Sequence, residues 1–222
     1  MSSQAADRGL ARARTWARLA AAGVLVYVLV DAVLALLRPG LSLLHNPESD
    51  YGVGPFFWLM DLNFLLRGAL TLCLVVAIVS CWRPSPLARL GALLLAVWGV
   101  FSALLAVFPD DPLGTPATAS GAIHLVLALL AFLGALVGTI LLSLAAGHLP
   151  PLQGVRGRLL ALSLLAVVPL LALLRAGFRA ESLGGLYERI FLALELAWIL
   201  VTALTLARGR QLEVQEGTSS AG

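Results

Sequence analysis

Apolar residues fill six long stretches of the chain, and short segments rich in proline, glycine and charged residues separate them. A helix needs about 20 mainly apolar residues to cross the hydrocarbon core of a membrane, and each stretch approaches or exceeds that length. The pattern therefore predicts an all-α, polytopic membrane protein, built as a bundle of six transmembrane helices over residues 17–207. The predicted spans are residues 17–37, 56–80, 87–107, 120–146, 157–174 and 186–207.

The composition supports the same class of protein. Of the 222 residues, 60% are hydrophobic and only 12% are charged, and the mean hydropathy is +0.95. Soluble domains carry about 25% charged residues, so the composition excludes a soluble globular protein. We attribute the formal net charge of +3 to membrane topology, and it does not indicate nucleic-acid binding.

The distribution of arginine predicts the orientation of the bundle. The chain contains no lysine, so arginine supplies all 15 basic residues. Because basic residues concentrate on the cytoplasmic side, we predict that both termini are cytoplasmic and that the protein lies in the cell membrane. A basic segment over 1–16 and a disordered tail over 208–222 would flank the bundle. The arginines assigned to the cytoplasmic side are Arg8, Arg12, Arg14, Arg18, Arg83, Arg89, Arg156, Arg158, Arg208 and Arg210.

One arginine falls deep inside a predicted span. Arg67 should lie about 16 Å below the start of the second span, near the middle of the membrane. A lone guanidinium at that depth costs several kcal/mol, so we expect an acidic partner. Glu195 in the sixth span is our first choice, followed by Asp31 and Asp61.

Polar residues from four different spans fall in the half of the bilayer predicted to be extracytoplasmic. Ionisable side chains in hydrocarbon usually face a partner, a cavity or a substrate path. We therefore predict a shared polar cavity that opens to the extracytoplasmic side; the alternative is that these groups only hold helices together. The predicted ligand-binding or buried polar cluster is Asp31, Asp61, Asn63, Arg67, Asp111, His124, Arg175, Glu188, Arg189 and Glu195.

The polar residues of the chain match known types of catalytic site only in part. A serine nucleophile would require Ser49 or Ser120 near His124, with an acid such as Asp50 orienting the imidazole. The catalytic candidates are Ser49, Asp50 and His124. No Gly-Xaa-Ser-Xaa-Gly, Walker-type or dinucleotide-binding glycine motif appears. His45 and His124 lie on the opposite side from His148, which leaves only a mixed site of histidine and carboxylate for zinc. We predict no metal and no cofactor.

Several short polar landmarks follow one another along the chain: Ser49-Asp50-Tyr51-Gly52, Asn63, Phe108-Pro109-Asp110-Asp111, His124 and Gly185-Leu186-Tyr187-Glu188-Arg189. Their order resembles a known family of membrane proteins, named domain of unknown function 998. The resemblance covers about residues 17 to 207 and implies a six-span architecture without an established activity. A more distant similarity, in the Ser-Asp-Xaa-Gly element, the asparagine and the histidine, links the chain to the Frag, DRAM and Sfk group, which implies lipid handling.

These observations predict that the protein binds or handles a membrane lipid or another amphiphile in its polar pocket. Apolar helices around a polar cavity can hold a charged head while acyl chains stay in the bilayer. Arg67, Arg175 and Arg189 would meet a phosphate, and Asp50 with His124 would act as acid and base if a reaction occurs. The alternatives are an intramembrane hydrolase that uses the same residues, and a structural or partner-binding subunit. The oligomeric state stays open.

Overall fold

The chain folds into long helices that match the predicted spans. The computed structural model describes residues 3–81, 85–179 and 181–208, and within these ranges it contains helices and turns but no strand. All six long helices are long and apolar enough to cross a membrane, so the all-α, six-span fold class is confirmed. The long helices are α1 (Ser3–Leu37), α2 (Phe57–Cys81), α3 (Pro86–Leu104), α4 (Ala119–Ala145), α6 (Arg156–Ala176) and α7 (Gly184–Arg208), and the single turn α5 (Pro150–Gln153) joins α4 to α6.

The helix ends lie within three residues of the predicted spans, with one exception. Helix α1 begins at Ser3, although the sequence analysis treats 1–16 as a separate basic segment. Alanine and arginine dominate this stretch, and because both favour helix and no proline interrupts them, the helix continues toward the N-terminus. The predicted disordered tail lies outside the described residues except for Arg208, as do Arg83 and Arg210.

Local capping residues set where two of the helices begin. Ser85 precedes α3, and its side chain accepts a hydrogen bond from the backbone N–H of Ala88, with proline in the first turn. Thr118 precedes α4 and accepts from the N–H of Gly121 in the same way. Both caps satisfy donors that the first turn of a helix leaves without partners.

The long helices form a closed ring in the order α1, α2, α3, α4, α6, α7 and back to α1. Small residues bring neighbouring backbones close together, as is common for helices within a membrane. A Cβ atom added to Gly68 of α2 would lie 2.7 Å from the carbonyl oxygen of Gly99 in α3. At the next contact in the ring, a Cβ atom on Gly134 of α4 would lie 2.8 Å from the carbonyl oxygen of Leu94.

At one end of the bundle α1, α3 and α6 finish and α2, α4 and α7 begin, and we call it the upper end. The segment between α1 and α2 does not stay outside the bundle there. It forms a 3₁₀ turn, Glu48–Gly52, whose first four residues are buried, and the turn packs against α2 and α7. The upper end is therefore closed partly by a loop that carries acidic side chains.

The close approach of α2 and α3 predicts a position-specific effect of adding one methyl group. We expect Gly68→Ala to lower the free energy of unfolding by about 1–3 kcal/mol, because the new Cβ atom must push two backbones apart. Gly157→Ala is the matched control, since nothing lies within 4 Å of a Cβ atom there. It should leave stability unchanged or raise it by up to about 1 kcal/mol. Unfolding followed in a mild detergent would measure both, and equal effects of the two substitutions would contradict the packing described.

Candidate functional site

The centre of the upper half is a buried ion pair between Arg67 and Glu48. The Nη1 atom of Arg67 lies 3.3 Å from Oε2 of Glu48, and both side chains are at most 4% exposed. Nη1 also donates to the hydroxyl of Tyr27 at 3.2 Å, and Nε donates to the hydroxyl of Ser102 at 3.2 Å. Residues from α1, α2, α3 and the 3₁₀ turn therefore meet at one guanidinium.

The predicted partner of Arg67 is wrong, although the need for an acidic partner is confirmed. Glu195, the first choice, accepts a hydrogen bond of 3.4 Å from Thr139 and belongs to a separate group with Thr139, Ser143 and Trp198. The sequence analysis chose among acids on the predicted spans and did not consider Glu48, which lies between the first two spans. The loop turns inward because Glu48 gains three hydrogen-bonding partners inside the bundle.

The 3₁₀ turn is held in place by hydrogen bonds to two helices. Tyr27 of α1 donates its hydroxyl to Oε1 of Glu48 at 2.6 Å. The backbone N–H of Glu48 donates to Oε2 of Glu188 in α7 at 2.7 Å. Asp31 lies close to the Glu48 carboxylate on the α1 side. These contacts bring three carboxyl groups together around Arg67.

A second group of polar contacts connects the 3₁₀ turn to α4. The hydroxyl of Ser49 donates to Oδ2 of Asp110 at 2.5 Å, and Nε2 of His124 lies 3.9 Å from the same oxygen. The Nδ1 atom of His124 is 2.7 Å from the carbonyl oxygen of Phe108, so Nδ1 carries the proton that it donates. The structure thus brings Ser49 and His124 to a shared aspartate and does not bond them to each other.

Asp50, the third catalytic candidate, makes no hydrogen bond to His124 within the described residues. Its Oδ2 accepts a hydrogen bond of 2.7 Å from the side-chain amide of Asn46. Burial raises the pKa of Asp50 above its ordinary value, and this effect outweighs the stabilisation of the charged form by Asn46. Burial also raises the pKa of the neighbouring Tyr51 hydroxyl. Asp50 therefore belongs to the loop and does not orient the imidazole.

Asp111 fixes the loop that leads into α4. Its two carboxylate oxygens accept from the backbone N–H of Thr118 at 2.7 Å and from the Thr118 hydroxyl at 2.8 Å. The same hydroxyl caps α4. Asp111 thereby holds the start of the helix that carries His124, and it also faces the cavity described next.

A cavity of about 660 Å³ lies beside both groups of polar contacts, the one around Arg67 and the one that joins Ser49, Asp110 and His124. Its walls come from the loop after α3, from the first half of α4 and from the last turns of α6. Most of the lining is apolar, and the polar groups gather at one end. The polar lining residues are Ser49, Arg67, Asp110, Asp111, Thr115, His124 and Glu188, and the larger apolar ones are Phe64, Leu105, Leu125, Leu129, Phe132, Leu170, Leu173, Leu174 and Phe178.

The apolar side of the cavity continues onto the outer surface of the bundle between α4 and α6. Three of its lining leucines are largely exposed: Leu125 is 62% exposed, Leu129 is 40% and Leu174 is 53%. The two helices meet instead toward their other ends, where the hydroxyls of Ser143 and Ser163 lie 3.2 Å apart. Because these leucines both line the cavity and are exposed on two spans, the cavity opens at its side on the outer surface of the bundle, between α4 and α6.

Four of the predicted cluster residues, Arg67, Asp111, His124 and Glu188, line the cavity, and the other six do not. Asn63 is fully buried, and Asp61 is partly buried on α2. Arg175 is exposed at the end of α6. Arg189 donates to the backbone carbonyl oxygens of Leu43, Asn46 and Gly185 and stacks over the ring of Tyr51 at 5.9 Å. The residues outside the lining are Asp31, Asp61, Asn63, Arg175, Arg189 and Glu195.

Sequence reasoning missed Glu48 and left Asp110 out of the cluster. Both follow a proline by one residue, within loops that also carry short landmarks of the resemblance. Those landmarks were the one sequence feature that pointed to these two loops, since the hydropathy of a loop does not show whether it enters the bundle. Among the described residues, no group of three or more His, Cys, Asp or Glu side chains is placed to hold a metal ion.

The fold defines a multi-pass helical membrane protein whose polar centre lies within its upper half. The model of a family described as a protein of unknown function, DUF998, matches residues 21–205. The match covers more than half of the chain, and the protein belongs to this family. No curated protein and no solved structure matches the chain.

The ion pair predicts strong energetic coupling between Arg67 and Glu48. We expect Arg67→Gln and Glu48→Gln each to destabilise the protein by about 3–5 kcal/mol, because each leaves a buried charge without its partner. The double variant should lose less than the sum of the single losses.

The matched control combines Arg67→Gln with Glu195→Gln, which the structure places in separate groups. Their effects on the free energy of unfolding in detergent should add within about 0.5 kcal/mol. Additivity for Arg67 with Glu48, or coupling for Arg67 with Glu195, would contradict the pairing.

Proposed function

We propose that the protein binds a membrane lipid or another single amphiphile, with the polar head in the cavity and the tail between α4 and α6. The observation that carries this proposal is the continuity of the cavity. One end is lined by Arg67, Asp110 and Glu188, and the other runs into leucines exposed on two spans. The arginine distribution predicts that this upper end faces the extracytoplasmic side of the cell membrane.

The energetics favour a ligand that keeps its tail in the membrane. A volume of about 660 Å³ falls within the range of about 300–1,000 Å³ found for small-molecule pockets. A polar head can enter from the side without moving its acyl chain through water, which would cost about 0.8 kcal/mol for each CH₂ group. The side opening therefore suits an amphiphile better than a freely soluble molecule of the same head chemistry.

An intramembrane hydrolase is the second candidate, favoured by the proximity of Ser49, Asp110 and His124. A serine nucleophile needs a base that accepts its proton, and here the Ser49 hydroxyl donates to the Asp110 carboxylate and not to His124. The imidazole lies beyond that carboxylate. This order of groups supports a polar binding surface more directly than it supports an activated nucleophile.

Occupancy of the cavity predicts where a lipid probe should react. Phosphatidylethanolamine with a photoreactive group in its acyl chain should label α4 and α6 around Leu125, Leu129 and Leu174. Ala128→Phe, which places a ring inside the cavity, should reduce that labelling by about tenfold, equivalent to about 1.4 kcal/mol of binding. Mass spectrometry of peptides from protein in nanodiscs would locate and quantify the label.

The matched control is Ala32→Phe, at an exposed position on α1 away from the cavity. Labelling should persist in this variant, and thermal unfolding should confirm that both variants fold. Labelling spread evenly over all spans, or unchanged in Ala128→Phe, would refute binding in the cavity.

A further inference from the structure

We infer that the head bound in this cavity is a cation, specifically an ammonium group carried by an apolar tail. This inference rests on the proposed function and adds the charge of the ligand to it. The carboxylates of Asp110, Asp111 and Glu188 line the polar end of the cavity. Among the described residues, the arginine that lines the cavity is Arg67, and it is paired with Glu48. The chemistry that complements such a surface is a positively charged hydrogen-bond donor.

The only arginine that lines the cavity within the described residues is already neutralised. Arg67 is paired with Glu48 at 3.3 Å, and its Nε and Nη1 atoms donate hydrogen bonds to hydroxyl and carboxylate oxygens. Its charge and that of Glu48 therefore cancel locally. The carboxylates of Asp110, Asp111 and Glu188 remain along the lining.

The other nearby arginines do not supply an anion site in the cavity. Arg189 lies outside the lining and donates from Nη1 to backbone carbonyl oxygens, while its buried Nε and Nη2 make no hydrogen bond within the described residues. Arg175 is exposed and also lies outside the lining. A protonated His124 would offset Asp110 alone, and Asp111 and Glu188 would still remain. A phosphate head would enter a surface with excess negative charge.

Glu188 offers the clearest unused acceptor. The residue is only 6% exposed, yet it lines the cavity. Its Oε2 accepts from the N–H of Glu48, and its Oε1 makes no hydrogen bond to the described residues. Because Glu188 lines the cavity, a donor that enters from the cavity would be stabilised by a hydrogen bond to that oxygen.

Aromatic rings complete the surface around these carboxylates. Phe64 already stacks against the Arg67 guanidinium, whose carbon lies 5.3 Å from the ring centre. Phe132 and Phe178 also line the cavity, and Phe178 contacts no cation among the described residues. Aromatic faces attract cations, including alkylated ammonium groups. An ammonium head therefore finds both carboxylate acceptors and a ring within one cavity.

The test compares probes that share one tail and differ in the head. Dodecylamine, dodecanol and dodecyl phosphate would be titrated against the protein in a neutral maltoside detergent, with affinity measured by isothermal titration calorimetry. We expect the amine to bind about tenfold to a hundredfold more tightly than the alcohol, and the phosphate to bind most weakly. Ethylamine tests whether a tail is required, and it should not bind measurably.

Two variants remove carboxylates from the lining with little change in shape. Glu188→Gln keeps an oxygen that accepts from Glu48, and Asp110→Asn keeps one that accepts from Ser49. Each should lower the preference for amine over alcohol by at least about fivefold. Asp61→Asn is the matched control, because it removes a carboxylate outside the cavity and should leave the preference unchanged.

The outcomes separate the two levels of the proposal. Equal binding of all three alkyl probes, or tightest binding of dodecyl phosphate, overturns the inference while amphiphile binding stands. An amine preference that survives in both Glu188→Gln and Asp110→Asn also overturns it. If no alkyl probe binds, or if ethylamine binds as well as dodecylamine, the proposed function itself fails.

Discussion

The neutralisation of Arg67 is the constraint on which the rest of the upper half depends. A guanidinium about 15 Å from the start of an apolar helix is tolerated only with a charged partner and further acceptors. Glu48 supplies the charge, and Tyr27 and Ser102 supply acceptors. Because Glu48 precedes α2 in the chain, meeting Arg67 requires the whole 3₁₀ turn to enter the bundle. The position of that turn follows from one buried charge.

Once the turn is inside, it positions the remaining polar groups. Ser49, the next residue, reaches Asp110 in the loop after α3, and Asp110 faces His124 on α4. On the opposite side, the backbone of Glu48 bonds to Glu188 on α7. The cavity lies beside these contacts and ends where α4 and α6 separate. A single ion pair thus links five of the six spans to one polar surface.

Hydropathy was sufficient to predict the six spans and, except for the start of α1, their ends, because span length and apolar composition are local properties of the chain. It also showed that Arg67 needs an acid. It could not identify Glu48, since a residue between spans contributes nothing to the periodicity of a helix face, and the choice of Glu195 followed from that limit. Which arginines line the cavity was equally beyond the sequence. Arg189 lies one residue from Glu188 yet bonds to carbonyl oxygens outside the lining.

The acidic excess at the polar end has a cost in a protein surrounded by hydrocarbon. Carboxylates in low dielectric repel one another more strongly than they would in water. Loop geometry explains part of this arrangement, because Asp111 holds Thr118 and Asp110 accepts from Ser49 and from the backbone of Asp111. Loop geometry does not explain why residue 188 is a glutamate. One of its oxygens accepts a backbone hydrogen bond, and a glutamine would provide the same acceptor without the charge. A carboxyl group in that position is explained if its second oxygen is used, and within the cavity the complementary use is to accept a hydrogen bond from a cationic donor.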